Sequence, residues 1–150
     1  MKVKIGGYPD YYYWLDRLFG WNPEQKVSVR IDDHDTWSMD HTLAHIVLPM
    51  LVQLKRTHHG APFTDDEDVP EELRSTSAPP KEKEWDTDDN HFKRWDWILD
   101  EMIWAFEQKC RADWMDDYDY SWASVEAIVH QERMTNGFKL FGKYYESLWD

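Results

Sequence analysis

The densest cluster of residues able to do chemistry is IDDHDTWSMDHTLAH, residues 31–45. His41 and His45 stand four apart, so on a helix both imidazoles leave from one face, with Trp37 one turn earlier. An HxxxH pair can fill two positions on a metal, and Asp40 stands beside it. Further ligands have to come from His34 or Asp35, or from a second segment, Asn90–Lys109. There Asp96 and Asp100 are also four apart, with Glu107 about two turns further on. Carboxylates suit Mg²⁺ or Mn²⁺, and a mixed His/Asp set suits Zn²⁺, Mn²⁺ or Fe²⁺. A divalent metal held by Asp40, His41, His45, Asp96 and Asp100 would activate a water for phosphate or amide hydrolysis. The plainer alternative is two helix-surface histidines, one bonded to a nearby carboxylate.

A second chemistry needs no cofactor. Anionic metabolites such as nucleotides are held by a few cations together with an aromatic face for the base. Arg94, Trp95 and Trp97 offer that combination on one segment, and His130, Arg133 and Lys143 bring donors from the last one. Trp37, Trp95 and Trp97 would stack, while Arg94, Arg133 and His130 would meet phosphates, with His41 beside Trp37. Against this stands ordinary surface charge pairing.

Established motifs are mostly missing. His34-Asp35 is an HD dipeptide without the histidine that should precede it. HExxH and a glycine-rich phosphate loop are absent. The paired acidic helices of nucleotide pyrophosphatases are a poor match, because one of the two helices offers histidines. Cys110, between Lys109 and Arg111, reads as a plain free cysteine rather than a reactive thiol.

Three long helices must position these groups. The first spans Thr36–Thr57, with Asp35 as N-cap, Asp40 at the positive end of the macrodipole and a stripe of Met39, Leu43, Ile46, Met50 and Leu54. Pro49 lies inside it and should kink it. The second spans Asn90–Lys109, with a stripe of Phe92, Trp95, Leu99, Met102 and Phe106. The third spans Ser124–Trp149, with Phe138, Phe141, Tyr145 and Leu148 on one face and a break expected at Asn136-Gly137. Val3/Ile5 and Val27/Val29/Ile31 alternate as two short strands, each with one buried face, that could belong to an intersubunit sheet. Tyr12–Phe19 carries helical spacing, and residues 111–122 read as an aromatic loop. Residues 60–90 form a long acidic connection, expected to be mobile around 75–84. The expected fold is mainly α (α+β): a single domain of three long packed helices with a small N-terminal β element.

Composition narrows the partners. Acidic residues outnumber Lys and Arg by 30 to 17, a net charge of −13, so a nucleic-acid-binding surface is not expected. The chain could instead occupy a basic site of another protein. Ten Trp are more than a core of this size easily hides, which points to a pocket or a homo-oligomer contact. One cysteine, no membrane-spanning run and no signal-peptide core point to the cytosol.

The strings DTWSMDHTLAHIVLPMLVQLK, HGAPFTDDEDVP, HFKRWDWILDEMIWAFE and NGFKLFGKYYESLWD resemble a family of small acidic proteins of tailed bacteriophages. The resemblance covers most of residues 31–150. It implies a setting rather than a reaction: a phage accessory protein in the cytoplasm of an infected bacterium, with no catalytic residues to carry over. Such proteins commonly sequester a host signalling nucleotide, disable a host factor or adjust nucleotide pools. The expectation is therefore a non-enzymatic, homo-oligomeric binder of a small anionic ligand such as a nucleotide-derived defence signal. A metal-dependent nucleotide phosphohydrolase is the first alternative, and an acidic inhibitor of a host protein the second.

Overall fold

The computed structural model describes residues 2–5, 27–81, 83, 85–111 and 124–149. The helix expected over Tyr12–Phe19 lies outside the described residues, as does all but the first residue of the aromatic loop 111–122. The fold is mainly helical, with three long helices and a small two-stranded antiparallel sheet at the N-terminus. The chain divides into two compact units, residues 1–42 and 43–150.

In the first unit, strand β1 (Lys2–Ile5) pairs with β2 (Val27–Arg30), Lys2 opposite Arg30 and Ile5 opposite Val27. The period-2 pattern makes strands as expected, but no buried face on β2: Val27 and Val29 are both exposed. A 3-10 turn follows at Asp33–Thr36. Asp35 lies inside this turn, where its carboxylate accepts the Asp32 N–H at 2.8 Å. That bond holds the Asp35 carboxyl below its usual value. Helix α1 accordingly starts later than expected and runs Met39–Thr57, uninterrupted at Pro49.

The second unit is built around α2 (His91–Cys110), which carries the periodicity read from sequence almost unchanged. Trp95, Ile98, Leu99 and Met102 are fully buried, and Ala105 and Phe106 continue the face. Phe92, the first member of the expected stripe, is instead half exposed, because the buried face there passes through His91 and Trp95. Helix α3 (Val125–Lys143) is capped by Ser124, whose Oγ accepts the Ala127 N–H at 3.1 Å. It ends in a 3-10 turn, Tyr145–Ser147, so the helix expected to reach Trp149 stops a turn short. Its core face is Met134, Gly137, Leu140 and Tyr144, with the expected Phe138, Phe141 and Leu148 packed beside it.

The α1 stripe is the main reversal. The residues it buries are Ala44 and Leu51, while Met39, Leu43 and Met50 of the expected core stripe are exposed. From Leu43 to Leu54 the helix is apolar on nearly every side. Periodicity alone therefore could not say which side faces inward.

The break expected at Asn136-Gly137 does not occur, and α3 passes straight through it. A Cβ on Gly137 would lie 2.4 Å from the Ala105 Cβ and 2.6 Å from the Glu101 carbonyl oxygen. The glycine is there because α2 and α3 touch backbone to backbone, not because the helix ends. Gly142, on the same helix, has open space around it. Urea unfolding should therefore show Gly137→Ala destabilised by about 1–3 kcal/mol from overpacking. Gly142→Ala should gain up to about 1 kcal/mol from helix propensity alone.

Candidate functional site

The residues expected to hold a metal are divided between the two units. Trp37, Asp40 and His41 belong to the first unit, and Trp37 is 84% exposed, its ring 6.3 Å from that of His34. In the second unit Asp96 accepts from His58 Nε2 at 2.9 Å, and Asp100 pairs with Lys55. Both carboxylates thus sit at the C-terminal end of α1. His45 is ten residues, about 15 Å of helix, back along α1 from Lys55. That separation keeps His45 and the two carboxylates from sharing one ion. Among the described residues no group of three or more His, Cys, Asp or Glu is arranged to hold a metal.

The cations expected to meet phosphates are engaged within the protein. Arg94 is buried and forms a two-pronged pair with Asp88, Nη1 and Nη2 each donating at 2.8 Å. It also donates to the Leu73 carbonyl at 3.2 Å and the Thr64 hydroxyl at 3.3 Å. Arg94 is thus the anchor of the 61–90 connection, not a ligand contact. That connection is a series of 3-10 turns, Asp66–Asp68, Glu71–Leu73 and Ser75–Ser77. Over Ser75–Ser77, where slack was expected, Asp66 accepts from the Ser75 amide and hydroxyl, and Ser77 donates to the Glu71 carbonyl. Trp95 is wholly buried and edge-on to Tyr144 at 5.9 Å, so it cannot stack on a ligand. Trp97 is half-buried against the core.

Arg133 and His130 come together on a residue the sequence reading missed, Trp104. The Arg133 guanidinium lies 4.0 Å over the Trp104 ring and donates to Glu101 at 3.0 and 2.7 Å. The His130 ring meets Trp104 edge-on at 4.9 Å, its Nε2 3.2 Å from the Gln108 Oε1. This cluster ties α3 to α2.

A groove of about 750 Å³ lies elsewhere, between α1 and the end of α3. One wall is Val47, Met50, Gln53, Leu54 and Thr57. The other is Phe141, Tyr145, Leu148 and Trp149. Its size falls within the range of small-ligand pockets. The second wall is held by a polar lock at the end of α3. The Tyr144 hydroxyl accepts the Asp65 N–H at 3.0 Å and donates to Asp68 Oδ2 at 2.5 Å. Lys143 reaches Asp65 at 2.6 Å and Asp68 at 2.5 Å. Burial, then the bond to Asp68, pushes the Tyr144 hydroxyl up to about 12, so it stays a donor. Asp65 and then Asp68 raise the Lys143 ammonium above its ordinary value. The chain then turns through Tyr145–Ser147, leaving Tyr145, Leu148 and Trp149 beside α1. Arg56, adjacent to the lining residue Thr57, is exposed and has no ion pair among the described residues.

The sequence held the signal for this groove, since Phe141, Tyr145 and Leu148 were picked out by their spacing. That shared face is partly open in the structure, with Tyr145 65% exposed. Comparison of the chain with protein-family models, curated proteins and solved structures finds no match.

Arg94 holds the Asp88 carboxyl down at about 2. A depressed carboxyl stabilises the fold above its unfolded value near 3.8, and that contribution is lost as pH falls through 2. Asp88→Asn, which strands a buried guanidinium, should cost about 3–5 kcal/mol near neutral pH. In urea titrations the gap between Asp88→Asn and wild type should close between pH 4 and 2. A gap that stays constant with pH would show that the pair is not what holds the 61–90 connection.

Proposed function

We propose that this chain is a non-enzymatic binding protein that holds a small ligand in the α1–α3 groove. The ligand has an aromatic or apolar body and an anionic group. Phe141, Tyr145 and Trp149 supply the aromatic wall, Met50 and Leu54 the facing aliphatic one, and Gln53 and Thr57 the polar handles. Arg56, next in sequence to the lining residue Thr57, is the cation offered to the anion. The observation that carries this reading is the groove itself, a concave apolar surface with few polar groups, next to a cation that has no internal partner among the described residues. A concave apolar pocket with a few polar groups is the usual form of a small-molecule site.

The setting implied by the phage-protein resemblance makes a nucleotide-derived host signal the ligand class of choice, and sequestration rather than turnover the activity. The separation of His45 on α1 from Asp96 and Asp100 on α2, which meet the far end of α1, supports a binder over a metal-dependent hydrolase.

Intrinsic tryptophan fluorescence, titrated with a panel of nucleotides and their parent nucleosides, tests this. A nucleotide should bind, its nucleoside more weakly. Trp149→Ala should weaken binding about tenfold or more through lost stacking. Arg56→Gln should weaken the nucleotide about tenfold and leave the nucleoside unchanged. Ligand released by heat should be chemically intact. No response to any compound, or wild-type affinity in Trp149→Ala, would overturn the reading. Recovery of a hydrolysed product would replace the binder with an enzyme.

A further inference from the structure

We infer that Gln53 is the residue that selects the ligand's ring, and that the ring it selects is adenine. The inference rests on the groove reading above and names the base that the groove takes.

The lining decides what can enter. Among the described residues it holds no Asp, Glu, Lys, Arg or His. A charge buried there would have no partner, so the part of the ligand that enters is neutral and its anion stays outside. A neutral heterocycle still carries polar edge atoms, and each one that loses water needs a hydrogen-bond partner.

Four lining side chains carry polar atoms: Gln53, Thr57, Tyr145 and Trp149. The Thr57 hydroxyl is already spent, donating to the Gln53 carbonyl at 2.9 Å. Tyr145 and Trp149 offer one polar atom each, and their rings form the wall on which a base stacks. Only the Gln53 amide sets a donor beside an acceptor. Its side chain makes no hydrogen bond of its own among the described residues.

The helix places that amide where the edge of a stacked ring ends. At about 100° per residue, the α1 lining runs from Leu51 on one side, through Val47 and Met50, to Gln53 on the other. Leu51 is buried and Gln53 is exposed. A flat ring stacked on Phe141 and Trp149 fits both sides with its polar edge toward Gln53. Arg56 follows Gln53 by three residues and is its neighbour on the helix surface. Ring edge and anion are thus met from one flank of α1.

An amide matches an edge that presents a donor next to an acceptor, which is how glutamine pairs with adenine. The adenine amino group lies between two ring nitrogens, so adenine presents that pattern on both of its free edges. Guanine presents it on one only, because its O6 and N7 both accept. A pyrimidine covers less of the aromatic wall than either purine.

Calorimetric titration with adenosine monophosphate, guanosine monophosphate and the adenosine compound lacking its amino group tests this. Wild type should bind adenosine monophosphate about tenfold more tightly than the other two. In Gln53→Leu, an exposed substitution checked by circular dichroism, adenosine monophosphate should fall to the level of the amino-less compound, whose own affinity stays unchanged. A merely structural change would weaken both alike. Trp149→Ala, which removes stacking, should weaken both and keep their ratio. Equal affinities in wild type, tighter binding of guanosine monophosphate, or a preference that survives Gln53→Leu would each overturn the role of Gln53 and leave the groove standing. No binding of any of the three overturns adenine selection, and the wider nucleotide panel then decides whether the groove reading falls with it.

Discussion

A guanidinium taken out of water at the start of a helix must be neutralised and hydrogen-bonded where it sits, because an unpaired buried charge costs several kcal/mol. In this chain Arg94 is that group, and its acceptors come from the segment that precedes α2: Asp88, the Leu73 carbonyl and the Thr64 hydroxyl. Satisfying one side chain therefore folds a long polar connection against the helix. Asn90 extends the same arrangement, donating to the Glu72 and Arg74 carbonyls. Val69 is carried into the core with it, and Asp65 and Asp68 are brought to Tyr144 and Lys143 at the end of α3. The aromatic wall of the groove stands on that lock, so a chain of contacts runs from Arg94 to Tyr145 and Trp149.

Much of the fold was legible because α2 is amphipathic in the ordinary way. Its burial follows the 3.6-residue period from Trp95 to Phe106. Where the reading failed, the pattern was ambiguous for identifiable reasons. On α1, Leu43, Ala44, Val47, Leu48, Met50 and Leu51 leave no polar stripe to show which way is out. On α3, Gly137 reads as a helix breaker when seen alone, and only the proximity of Ala105 and Glu101 shows why it is a glycine.

The site was less legible, and the net charge explains why. With carboxylates in large excess, a cation on this chain tends to meet one before it can meet a ligand. Arg94 pairs with Asp88, Arg133 with Glu101, Lys55 with Asp100 and Lys143 with Asp65 and Asp68. Residue type alone cannot separate a cation offered to an anionic metabolite from one spent on folding. The distinction lies in what surrounds it: of the neighbours Lys55 and Arg56, the first meets Asp100, while Arg56 has no ion pair among the described residues.

Cys110 sits half-buried in the last turn of α2, where burial and then Glu107 push its thiol up. The thiolate is the species that reacts with alkylating reagents, so the native sulfur should be sluggish toward them at neutral pH. Its reaction then depends on how often the helix end frays and exposes it. The protein thus carries its own chemical clock for opening at that end of the bundle, readable by mass spectrometry without any added label site.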